Sequence, residues 1–126
     1  MKNSKIIALA LFVLTTTFSI AQKNKTPEER AEMLTEKMQS ELLLSDNQTQ
    51  KIATINLDIA LKTNQIKSDE SMDLEAKKAA LKETRKDRVA KFKDVLTVSQ
   101  FEKMKKMKKE RRAHKSIKKN KEEKAE

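Results

Sequence analysis

From about residue 26 onward, apolar residues recur at spacings of three and four, the periodicity of helices that each bury one stripe. Ala31, Leu34, Met38 and Leu42 fall on one face of a first helix, with Met33 and Leu43 off that face. Ile52, Ile55, Ile59 and Ile66 share one face of a second helix running from Asp46 to about Lys67, with Asn56 and Thr63 at its edge. Leu74, Leu81, Phe92 and the Val95/Leu96 pair mark a third helix over about 74–95, with Val89 at the edge. A fourth starts at Thr97 and places Phe101, Met104 and Met107 or Lys108 together. Beyond Lys109 only Ala113 and Ile117 continue the pattern, so residues 118–126 are expected to fray or stay disordered.

The polar break at 68–73 is expected to be a turn, short enough to make the second and third helices antiparallel neighbours. At about 1.5 Å per residue each would run roughly 30–35 Å, a matched hairpin. Two features do not fit a single buried stripe. Leu57 and Leu61 lie nearly opposite the isoleucine face, and a helix with two apolar faces needs two partners. One is the next helix; the other is the first helix, a second protomer or a ligand, and the first helix explains the pair at least as simply as any functional role. Arg85 and Arg88 lie within the apolar stripe of the third helix. Either their stems cover apolar surface while the charged ends reach water, or they form a mixed basic and apolar surface that an unfolded chain can bind.

The helix starts are written into the polar residues. Thr26-Pro27-Glu28-Glu29 supplies an N-cap, a proline at N1, acids that suit the helix dipole and a glutamate at N3. Leu44-Ser45-Asp46-Asn47-Gln48 and Leu96-Thr97-Val98-Ser99-Gln100, 52 positions apart, each place a hydroxyl three residues before a glutamine. In such a capping box the hydroxyl oxygen accepts the N3 amide proton and the glutamine reaches back to the N-cap amide. The second copy can add a hydrophobic staple between Leu96 and Phe101; the first has Thr49 at that position and lacks it.

This repeated pair resembles the signature of the Spy/CpxP family of small periplasmic helical proteins, a doubled Leu-Thr-x-x-Gln. Residues 96–100 match it in full, and 44–48 depart only by Ser45 in place of threonine. The likeness extends over roughly residues 26–112. It implies an elongated, cradle-like antiparallel homodimer and an ATP-independent chaperone role, binding unfolded or misfolded envelope proteins and limiting their aggregation. Relatives in the wider family imply two alternatives, an envelope-stress signalling adaptor and a metal-responsive sensor.

Composition sharpens this picture. The chain has no glycine, one proline and no cysteine, with 38% charged and 3% aromatic residues. Turn and strand punctuation is scarce, a thick core is out of reach, and disulfides and thiolate chemistry are excluded. The fold class is therefore all-α, four helices around a long central hairpin. Small units of this kind often gain burial by dimerising. Lys2 and Lys5, the apolar run 6–14 and Ser19-Ile20-Ala21 read as a secretory signal over 1–21, cleaved before Gln22 to give a periplasmic product. A helical domain then occupies 22–112 and a basic tail 113–126.

Charge is uneven. Residues 22–100 carry 15 Lys/Arg against 14 Asp/Glu, whereas 101–119 carry 10 against 2. In an exported protein this basic segment suits anionic lipid headgroups or acidic polymers better than nucleic acid, and without Tyr or Trp the best base-stacking groups are missing. No nucleotide loop, nucleophile or acid–base constellation stands out, so an enzyme and a cofactor are not expected. His114 sits among cations without a second ligand at i+3 or i+4, and core packing explains Met104-x-x-Met107 more simply than Cu(I) binding, so no metal site is expected. The residues singled out are Leu44, Ser45, Gln48, Leu96, Thr97 and Gln100 as structural determinants. Met33, Met38, Leu57, Leu61, Arg85 and Arg88 are candidates for client or dimer contact.

Overall fold

The computed structural model describes residues 25–124; the leader over 1–21, its cleavage before Gln22 and the last two residues of the tail lie outside the described residues. Four helices follow one another: α1 (Pro27–Leu42), α2 (Asp46–Ser68), α3 (Leu74–Val95) and α4 (Val98–Glu123). Each opens on a side-chain cap, and Thr26, Ser45 and Thr97 all form complete capping boxes. The fourth cap, Asp73, lies in the stretch read only as a turn; its carboxylate accepts the Ala76 amide at 2.7 Å.

With no glycine available, the α1–α2 turn is made by Leu43 in the left-handed conformation (φ 53°, ψ 52°). The Leu44 amide then donates to the Gln39 carbonyl at 3.1 Å, closing the end of α1. A left-handed non-glycine residue costs about 1–2 kcal/mol. The turn puts Leu43 out in solvent and Leu44 into the core.

The α2–α3 hairpin is in register along its length. Lys77 Nζ donates to the Lys67 carbonyl at the turn, Lys91 meets Asp58 midway, and Gln48 reaches the Val95 carbonyl at the far end. α1 lies antiparallel on α2, as the Asn56–Thr35 hydrogen bond requires given the short turn at 43–45. α4 touches α1 and α3. The core gathers where these connections meet, around Met38, Leu42, Leu44, Ile52, Phe92 and Leu96.

Three expectations change. Leu74, assigned to the stripe of α3, is 67% exposed; α1 has 16 residues against 23 in α2, so it does not reach the distal end of the hairpin. Asn56, placed at the edge of the isoleucine face, is 2% exposed at its centre. Its Nδ2 donates to Thr35 Oγ1 at 3.0 Å, and that hydroxyl donates to the Ala31 carbonyl at 2.8 Å. Finally, α4 stays helical to Glu123 instead of fraying from Lys118. Residues 108–123 are all exposed; Arg111 still pairs with Glu41 of α1, and farther along the support is local, including the i,i+4 pairs Lys118–Glu122 and Lys119–Glu123.

Candidate functional site

The two capping boxes, separate in sequence, meet in space. In the first, Ser45 Oγ accepts the Gln48 amide at 3.2 Å and the Ser45 amide donates to Gln48 Oε1 at 3.1 Å. In the second, Thr97 and Gln100 repeat this at 3.2 and 3.0 Å. The two glutamine amides then pair with each other, Gln48 Nε2 to Gln100 Oε1 at 2.7 Å and Gln100 Nε2 to Gln48 Oε1 at 3.2 Å. Each also spans to the other strand of the crossing: Gln48 Nε2 donates to the Val95 carbonyl at 3.2 Å, and Gln100 Nε2 to the Leu42 carbonyl at 3.3 Å.

A glutamine side chain has two N–H donors and two acceptor lone pairs, and both glutamines use all four. Each therefore caps the start of its own helix and satisfies one of the last-turn carbonyls that an α-helix leaves unpaired. Leu44 and Leu96 are buried beneath this clasp, and Phe101 packs against the same cluster. The clasp locks the corner from which α1, α2, α3 and α4 diverge.

Beside it, α1, α3 and α4 enclose a cleft of about 200 Å³ with an apolar floor that includes Met38, Phe92, Met104 and Met107. Its polar lining is cationic. Arg88 stands 5.9 Å over the Phe92 ring, and its Nε is buried without a hydrogen-bond partner. Burial, reinforced by the neighbouring charge of Arg85, pushes the Arg88 guanidinium below its ordinary pKa. Lys108 is lowered too, by burial first and then by Arg88, Arg112 and Arg85. The one carboxylate in the lining, Glu41, is engaged by Arg111 at 2.6 Å. Val89 and Lys108 also border a shallower groove between α3 and α4 whose charged residues are all Lys or Arg.

A family model described as a domain of unknown function, DUF4890, matches residues 19–126, which include both halves of the clasp. The chain belongs to the DUF4890 family. No curated protein and no solved structure matches it.

In this DUF4890 chain the residues singled out from sequence fall into distinct places. The six motif residues converge on the clasp and its apolar underside. Met38, a candidate client or dimer contact, is instead buried in the core cluster, where its sulfur meets Asn56 Nδ2, and it lines the cleft from within. Met33 on α1 is 49% exposed, and Leu57 and Leu61 on α2 are 38% and 45% exposed; Leu57 lines a groove shared with α1, which covers the second face of α2 only in part. Arg85 is exposed and borders the shallow groove; Arg88 alone of the two enters the apolar stripe. His114 is exposed on α4, and among the described residues no group of three or more His, Asp or Glu is placed to hold a metal ion.

Sequence reasoning gave Glu41 and Arg111 no role in a site, and it placed Asn56 only at a helix edge and Lys108 only as an alternative to Met107 on the apolar face of the fourth helix. Asn56 could have been found, since it lies four residues after Ile52 and three before Ile59. The others depend on where α4 crosses α1 and α3, which periodicity does not encode. Across the hairpin, Asp58 joins Lys62 at 3.0 Å and Lys91 at 3.2 Å, and Lys91 also meets Asp87 at 3.1 Å in the expected i,i+4 pair. The Lys62 and Lys91 hydrogen bonds hold the Asp58 carboxyl below its usual pKa. The network is solvent-exposed, where such pairs contribute about 0–1 kcal/mol each. No described helix is long and apolar enough to cross a membrane.

Proposed function

We propose that this protein is a Spy/CpxP-like, ATP-independent chaperone of the periplasm, a binding protein rather than an enzyme. It takes up unfolded or partly folded envelope proteins and limits their aggregation. The observation that carries the reading is surplus surface: leucines at 57 and 61 left partly exposed on a thin helical scaffold, together with a groove whose charged lining residues are all Lys or Arg. The doubled Leu-(Ser/Thr)-x-x-Gln supports it as the signature of that family. Client binding then combines modest apolar contact with charge attraction, so it is broad and salt-sensitive. The basic stretch of α4 adds an affinity for anionic membrane surfaces.

The chain from Gln22 onward is expected to suppress aggregation of an unrelated denatured protein without ATP, at near-stoichiometric amounts and less effectively as salt rises. Absence of suppression at several-fold excess would remove the proposal. Homodimerisation through the Leu57/Leu61 face is the second element. Sedimentation is expected to show a dimer for the wild type and a monomer for Leu57→Lys; a wild-type monomer at all accessible concentrations excludes it.

A further inference from the structure

Two side chains bury a polar atom without a partner among the described residues, Asn56 through its Oδ1 and Arg88 through its Nε, and only Arg88 carries a charge. Its Nε is buried without an acceptor, and no carboxylate forms a salt bridge with it among the described residues. Arg88 as a whole is half-buried, so the cost of its unpaired charge is partial, and a hydrogen-bonded anion lowers it. Arg85 adds like charge beside Arg88, and Arg88, Arg112 and Arg85 together act on Lys108. Helical packing alone gives no reason to gather them over an apolar floor.

We propose that the α1–α3–α4 cleft binds a single-chain anionic amphiphile, its carboxylate or phosphate head between Arg88 and Lys108 and its hydrocarbon chain over Met38, Phe92, Met104 and Met107. The occupant follows from charge and size. Nearly every charged side chain lining the cleft and the adjoining groove is a cation, and the single acid, Glu41, is already paired. The cleft holds about 200 Å³, below the ~300–1,000 Å³ of drug-sized pockets. An apolar cavity of about 150 Å³ takes benzene with its six carbons, so this one suits a thin chain of roughly eight. Methionines, unbranched and polarisable, line such a channel without demanding one chain shape. The inference shares the groove's cations with the chaperone reading but not its Leu57/Leu61 face, so octanoate binding and aggregation suppression can fail independently.

Calorimetric titration of the processed chain with octanoate is expected to give one site per chain, with octyl phosphate competing for it. Whichever of the two binds tighter identifies a fatty acid or a phospholipid-derived head as the source. Acetate, octyl glucoside and octyltrimethylammonium are expected to bind at least about tenfold more weakly, since each lacks either the chain or the charge-assisted hydrogen bonds. Arg88→Gln should weaken octanoate by about tenfold or more with helix content unchanged. Lys108→Gln, on exposed α4, tests the same head site if Arg88→Gln fails to fold, and Glu41→Gln, which frees Arg111, should tighten binding. Equal binding of the cationic and anionic amphiphiles, unchanged affinity in folded Arg88→Gln and Lys108→Gln, or displacement of octanoate by a more tightly held acidic peptide would overturn the assignment.

Discussion

Replacing Gln100 by Ala is expected to destabilise the whole protein by about 2 kcal/mol, not only to fray the start of α4. Loss of the cap on Thr97 contributes about 1 kcal/mol. A comparable amount comes from the Leu42 carbonyl and the Gln48 amide, which lose a partner in a part-buried site. For a domain of this size the melting temperature should fall by roughly 10 °C. The decisive measurement is a double-mutant cycle. Gln48→Ala alone should cost about as much, and the pair together should fall short of additivity by about 1 kcal/mol, because either single change already breaks the amide pair. Strict additivity would mean two independent caps that happen to lie close.

A larger loss is expected in the first half of α2. Ile52 is fully buried, at 0% exposure, in the cluster with Met38 and Phe92. Ile52→Ala should cost about 3–4 kcal/mol, the transfer energy of the lost methyl and methylene groups plus the cavity left behind. Leu57→Ala, five residues along but 38% exposed, should cost under about 1 kcal/mol in the isolated protomer. Denaturant unfolding of both variants at low protein concentration checks the contrast. If Leu57→Ala proved as damaging as Ile52→Ala, a second protomer or α1 would have to cover that face.

Much of the local structure was legible in the chain. Thr26, Ser45 and Thr97 announce three helix starts because a capping box needs only residues within four positions of each other. The apolar stripe of α1 was legible for the same reason: Ala31, Met38 and Leu42 are buried, while Met33 and Leu43 are not. The fourth cap, Asp73, was hidden inside a polar run where every residue suits a turn. The extension of α4 to Glu123 was also missed, because loss of apolar periodicity removes a reason for tertiary packing without removing helix propensity.

The candidate site divides along the same line. Sequence named Gln48 and Gln100 and gave each a short-range role, and it marked Arg88 as out of place within an apolar stripe. It could not join the glutamines or leave Arg88 without a counter-charge. Both outcomes depend on the angles at which α1 and α4 leave the shared corner.

The chain by itself therefore determined where helices begin, which faces are greasy and where positive charge accumulates, since each follows from neighbours a turn or two apart. Only the tertiary structure decided that two caps 52 residues apart become one clasp and that α1, α3 and α4 surround a cationic cleft. The reason is geometric: helix crossing depends on how side chains from distant segments fill shared space, and the pattern along one segment leaves that open.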